Sequence, residues 1–189
     1  MLLIIFAAIA VGFFAGLFGI GGGLISVPCL FFIFETLNFD KDYLMHLTVG
    51  TAFTITIFTS AVSVITHNKN KLVDFNVVKT FGVFVVLGVL AGTVFASFMK
   101  TKILVLFFSI VVYFFGAYLM MAQEKVKKIK TNSSISPKII FGVFSGFVSA
   151  PMGITGAMMN VPILRYLGYP ISKCIGSAAA IGFFISFTG

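Results

Sequence analysis

The groups best placed to do chemistry in this chain belong to the backbone. The stretch GIGGGLISVP, residues 19–28, puts Gly19, Gly21, Gly22 and Gly23 within five positions of an otherwise apolar run and follows them with Ser26 and Pro28. Each glycine inside a helix is unfavourable by about 1 kcal/mol relative to alanine, so this cluster predicts a break. In hydrocarbon every freed peptide N–H or C=O needs a partner, and a break survives only where protein or a wet cavity supplies one. If a half-helix resumes at Leu24, its first N–H groups point into the break and carry the positive end of the helix dipole. That arrangement favours an anion, because backbone donors replace water without a permanent cation in the bilayer.

The pattern returns. At an offset of 134 residues, VGFFAGLFGIGGGLISVPCL (11–30) aligns with SGFVSAPMGITGAMMNVPIL (145–164), so that Gly19, Gly22 and Pro28 recur as Gly153, Gly156 and Pro162. Thr155 stands opposite Gly21, Ala157 opposite Gly23, and Asn160 opposite Ser26. Thr155, Ser26 and Asn160 would add two hydroxyls and an amide to the backbone donors. A second echo, YLMHLTVGTA (43–52) against YPISKCIGSA (169–178), sets Thr51 opposite Ser177 as further hydroxyl donors. Paired interruptions in two halves of a membrane protein mark the substrate site of a transporter.

Other chemistries fail on residue type or spacing. GIGGGL lacks the last glycine of a dinucleotide-binding loop. No Ser-His-Asp set, carboxylate pair or metal-ligand cluster emerges, so neither enzyme activity, metal nor cofactor is expected. Cys29 and Cys174 match no metal or redox spacing and read as small core side chains. Asp74, Lys79, His46, His67, Arg165 and Lys173 read as interfacial or structural, Arg165 being the one arginine. Gly12 with Gly16, and Gly88 with Gly92, have the four-residue spacing of close helix packing.

The elements that must hold these groups follow from composition. Of 189 residues, 59% are hydrophobic and 10% charged, with a mean hydropathy of +1.14, so the expectation is an all-α integral protein of the cell membrane with several crossings. Met1 to Phe18 lacks the basic start of a cleavable signal and reads as mature structure. Apolar runs fall at 2–18, 24–34, 47–66, 77–98, 103–121, 139–152, 158–168 and 174–189. The formal charge of +8 sits in loops between these runs, which argues for positive-inside topology and against a nucleic-acid partner. Lys69, Lys71 and Lys79, and Lys125 through Lys138, are assigned to the cytoplasm, which leaves Lys100 and Lys102 outside despite their charge.

The organisation expected is a first transmembrane repeat over 1–122, a basic cytoplasmic linker over 123–138, and a second repeat over 139–189. Each repeat opens with a glycine-rich broken or re-entrant helix. A broken crossing over residues 1–34 makes the repeats parallel, and a re-entrant hairpin makes them inverted. The second repeat stops after its first full span, so the chain reads as short by about two helices. The partners expected are the lipid bilayer and a small anionic substrate, and a homo-oligomer is compatible with this class.

At these residues the chain resembles the TauE/SafE family of sulfite and organosulfonate exporters. GLFGIGGGLISVPCL is similar to the family's first glycine motif, VGTA (49–52) to the segment after it, and KLVDF with LGVLAGT (71–75, 87–93) to its third-helix entry and glycine pair. SAPMGITGAMMNVPIL and CIGSAAA are similar to the second copy, with Thr155 and Ala157 in place of two glycines. The resemblance implies export of a small sulfur-containing anion such as sulfite, sulfoacetate or a related organosulfonate. It also implies a site at Gly19, Gly21, Gly22, Gly23 and Ser26 in the first break and Gly153, Thr155, Gly156 and Asn160 in the second, with Thr51 and Ser177 behind them. The alternative expectation is a non-transporting membrane component or a truncated remnant of such a transporter.

Overall fold

In a computed structural model the residues described are 8–9, 11–13, 22–121, 135–155 and 157–189. Gly19, Gly21 and Gly156 lie outside them. All regular structure among the described residues is helical: α1 (Gly23–Thr36), α2 (Leu44–Lys69), α3 (Phe75–Ser97), α4 (Thr101–Met121), α5 (Ile135–Met152), α6 (Ala157–Tyr166) and α7 (Ile171–Thr188). α2, α3, α7 and residues 101–118 of α4 are long and apolar enough to cross a membrane. α1 and α6, with 14 and 10 residues, extend only about 21 and 15 Å and cannot span about 30 Å of hydrocarbon. α5 begins inside the stretch expected as linker, because Pro137 fits a first helical turn, where its missing N–H leaves no gap.

Helix ends are written locally. Asp74 caps α3, its carboxylate accepting from the N–H groups of Asn76 and Val77. α1 closes at Asn38 (φ 58°), where the Phe39 N–H reaches back to the Phe34 carbonyl. α6 closes the same way at Gly168 (φ 93°), with Tyr169 N–H on Leu164. α5 stops at Pro151 and Met152, and Gly153 turns the chain at φ +64°.

That turn is a reversal. Ser145 and Asn160 would stand about 22 Å apart along one straight helix, yet the Ser145 hydroxyl donates to Asn160 Oδ1 at 2.6 Å. Farther from the turn, the Phe141 and Tyr166 rings lie 5.9 Å apart. α6 therefore folds back along α5, and the second break is a re-entrant hairpin.

Polar contacts tie the two ends of the bundle. At one end the Thr101 hydroxyl donates to the Asp42 carbonyl at 2.7 Å, and His46 Nε2 lies 3.1 Å from the Ala96 carbonyl. At the other, the Asp74 N–H donates to Ser177 Oγ at 3.0 Å, the Lys173 ammonium sits 3.8 Å from the Asp74 carboxylate, and the Lys138 ammonium lies 6.0 Å from the Tyr169 ring centre. The second end thus gathers Lys138 and Lys173, with Lys71 and Arg165 in neighbouring turns, whereas at the first Glu35, Asp40 and Asp42 offset Lys41, Lys100 and Lys102. Ser177→Ala removes the acceptor from a part-buried N–H and should lower stability by about 1 kcal/mol, read by thermal unfolding in detergent.

The tightest packing joins α3 to α5. Gly88 and Gly92 of α3 lie against the Val143 and Phe147 backbones, while Gly142 and Gly146 of α5 face Phe81, Phe84 and the Val85 backbone. Two small-xxx-small pairs therefore face one another across the crossing, an arrangement that lets backbones approach without a hydrophobic driving force. α2 crosses α7 beside this pair, and the Ser186 hydroxyl donates to Thr56 Oγ1 at 3.1 Å there.

Candidate functional site

The two breaks meet. A Cβ added to Gly23 would come within 2.9 Å of Ile154 Cα and would overlap the Gly153 carbonyl oxygen. Gly153 in turn faces Val27 and the Val49 backbone, so its turn is held by both α1 and α2. Thr155 rests its carbonyl against Gly182 of α7, and Gly22 faces the Thr56 methyl at 3.8 Å from an added Cβ. Thr56 is the thirteenth residue of the 26-residue α2, which places the junction at mid-span.

The chain ends converging there are half-helices. Gly22 occupies the N-cap position of α1 (φ −57°, ψ −33°) without a side-chain cap, so the first N–H groups of α1 open toward the junction. The C-terminus of α5 and the N-terminus of α6 face each other across Gly153–Thr155. Pro28 and Pro162 each stand sixth in their short helix and withhold one more internal hydrogen bond.

Of the residues expected at the site, Gly22, Gly23, Ser26, Gly153 and Thr155 are brought together. Ser26 is 5% exposed and its hydroxyl has no hydrogen-bond partner. Asn160 is fully buried inside the second hairpin, its Oδ1 held by Ser145 and its Nδ2 unpartnered. Ser26 and Asn160 are both the fourth residue of their short helix. An unpaired buried polar group is unfavourable by about 1–3 kcal/mol and calls for an explanation. Thr51 turns its hydroxyl to the Leu47 carbonyl at 2.7 Å on an exposed part of α2, and Ser177 is engaged with Asp74 toward the basic end.

A cavity of about 590 Å³ opens at the junction, and Gly22, Ser26, Thr56, Ser60 and Thr155 border its inner floor. The rest of its lining is largely apolar and includes Val11 and Gly12 as well as Leu30 and Ile33 of α1. Titratable side chains on the wall are Cys29 and His67. The junction itself offers neutral donors and helix ends. No group of three or more metal-binding side chains occurs among the described residues.

Thr56 and Ser60 were not evident as site residues from sequence, although a signal existed. Thr56, Thr59, Ser60, Ser63 and His67 recur at helical spacing along one face of α2 and all border the cavity.

Comparison with known proteins gives the same class. A family model described as Sulfite exporter TauE/SafE matches residues 4–189. A protein of Haemophilus influenzae, named as a probable membrane transporter protein, is 29% identical over 191 residues, covering all of this chain and 72% of its own length. A Methanocaldococcus jannaschii protein with the same description is 28% identical over 180 residues, covering 95% of this chain and 67% of itself. A third, from Bacillus subtilis, is 24% identical over 208 residues, covering all of this chain and 76% of itself. No solved structure matches the chain.

Proposed function

The chain belongs to the sulfite exporter TauE/SafE family, and from that premise we propose that this multi-pass membrane protein is a secondary transporter exporting a small sulfur-containing anion. Sulfite, sulfoacetate and related organosulfonates are the substrate class. The observation that carries the reading is the contact of Gly23 with Gly153 and Ile154, which sets the half-helix ends of two breaks around one mid-span junction. Partial positive charge at half-helix N-termini favours an anion there. The unpartnered Ser26 hydroxyl on the cavity floor supplies a further donor.

The basic end, with Lys71, Lys138, Arg165 and Lys173, is assigned to the cytoplasm by the positive-inside rule. Three long helices, α2 to α4, separate α1 from the α5–α6 hairpin, and an odd number of crossings inverts the second break relative to the first. That reading makes the repeats inverted, the architecture in which one carrier alternates access to a central site. Under the repeat register Ala8 and Gly12 correspond to Gly142 and Gly146, the face that α3 covers in the second half. Nothing among the described residues comes within 4 Å of a Cβ added to Gly12. The anion contacts are therefore assigned to the inner floor of the cavity rather than to its open apolar side.

Counterflow in proteoliposomes tests the proposal. Vesicles preloaded with unlabelled sulfite should accumulate ³⁵S-sulfite, with competition from small sulfonates and none from small organic cations. Failure of every sulfur oxyanion to exchange would instead favour a non-transporting membrane component.

A further inference from the structure

The floor of the cavity carries hydroxyls that neither break supplies. On α2, Thr56 is 2% exposed and Ser60 8%, and both border the cavity together with Ser26. The Thr56 hydroxyl donates to the Ala52 carbonyl at 2.9 Å, and that of Ser60 to the Thr56 carbonyl. Those carbonyls lie inside α2, where each already serves the helix ladder, so the hydroxyl bonds to them are supplementary and can be exchanged at little cost. The Ser186 hydroxyl of α7 is within reach of both Thr56 Oγ1, at 3.1 Å, and its own Gly182 carbonyl, at 2.8 Å; when its single proton is on Thr56 Oγ1, the Thr56 proton stays free to turn. Under the register that pairs Thr51 with Ser177, Thr56 pairs with Gly182 and Ser60 with Ser186. Of these, Thr56 and Ser186 meet at the α2–α7 crossing, and Gly182 and Ser60 border the same cavity.

We propose that Thr56 and Ser60 are anion-binding residues, which turn their hydroxyls from their own helix toward the junction and join the unpartnered Ser26 hydroxyl as three neutral donors. Three hydroxyls drawn from two helices match the three oxygens of an –SO₃ group, common to sulfite and sulfonates. Neutral donors also suit a carrier, since the ligand leaves no permanent buried charge behind when it departs. This assignment rests on the transporter reading and deepens it.

The experiment compares ³⁵S-sulfite counterflow by wild type, Thr56→Val, Thr56→Ser, Ser60→Ala and Thr54→Val, each first shown to elute as a single species in detergent. Thr54 lies on the same helix, exposed, with its hydroxyl on the Gly50 carbonyl. Thr56→Val and Ser60→Ala should each raise KM roughly ten-fold or more, the scale of one hydrogen bond to a charged ligand. Thr56→Ser should restore wild-type KM, and Thr54→Val should leave it unchanged. Wild-type KM in both Thr56→Val and Ser60→Ala would overturn the assignment while leaving the transporter reading intact, and so would an equal loss in Thr54→Val. If Thr56→Val does not fold, Ser60→Ala decides the same question. Absence of saturable wild-type counterflow for sulfite and for sulfonates would remove the transporter reading itself, and this assignment with it.

Discussion

Gly23→Ala should cut anion flux about 100-fold while leaving the protein folded. The added methyl has no place to go. It meets the backbone of Gly153 and Ile154, and neither a carbonyl oxygen nor a Cα can rotate aside as the tip of a side chain can. The Gly153 turn cannot retreat freely either, because the Val49 backbone of α2 also packs against it. The two breaks must therefore separate by a fraction of an ångström to an ångström. Displacements of that size in a preorganised site lower rates by about 100-fold. The bundle outside the junction is untouched, so thermal unfolding in detergent should move by only a few degrees. Gly116→Ala supplies the control, since a Cβ there has no neighbour within 4 Å and both flux and stability should stay at wild-type values. Counterflow and unfolding measured on the same preparations separate a damaged site from a damaged fold.

The largest loss of stability is expected from Gly146→Leu. A Cβ at Gly146 would overlap the Val85 carbonyl and reach 2.8 Å from the Val89 nitrogen, so even alanine is too large. Leucine would force α5 away from α3 along the crossing where Gly88 and Gly92 approach from the other side. Overpacking a close-packed interior typically amounts to about 1–3 kcal/mol. Separating two backbones should reach or exceed the top of that range. Denaturant unfolding in mixed micelles should show the loss as a lower midpoint, with Gly146→Ala falling between Gly146→Leu and wild type.

Much of this geometry could be read from residue types. α1 and α6 begin at Gly23 and Ala157, next to or within the two glycine clusters and separated by the same 134 residues as the sequence echo. The spacing of Gly88 and Gly92 announced close packing, although their partners, Gly142 and Gly146, became evident only in three dimensions. The choice between a broken crossing and a re-entrant hairpin was not legible, because both make the same apolar runs and differ only in contacts such as Ser145 with Asn160. Nor could Thr56 be separated from Thr51. Each is a threonine in an apolar helix whose hydroxyl bonds its own backbone, and the two differ in which neighbouring helix lies across from them. Ser177 has the sequence context of a donor at a break, yet its oxygen accepts the Asp74 N–H, a link over 103 residues that local pattern does not encode.

An anion held where the two breaks touch should bind at equilibrium, and ³⁵S-sulfite binding to the purified protein in detergent measures this. Saturable binding to wild type, competed by small sulfonates and lost or weakened at least ten-fold in Gly23→Ala, is the predicted result. Equal affinity in wild type and Gly23→Ala, or no saturable binding by a folded wild-type protein, would contradict it.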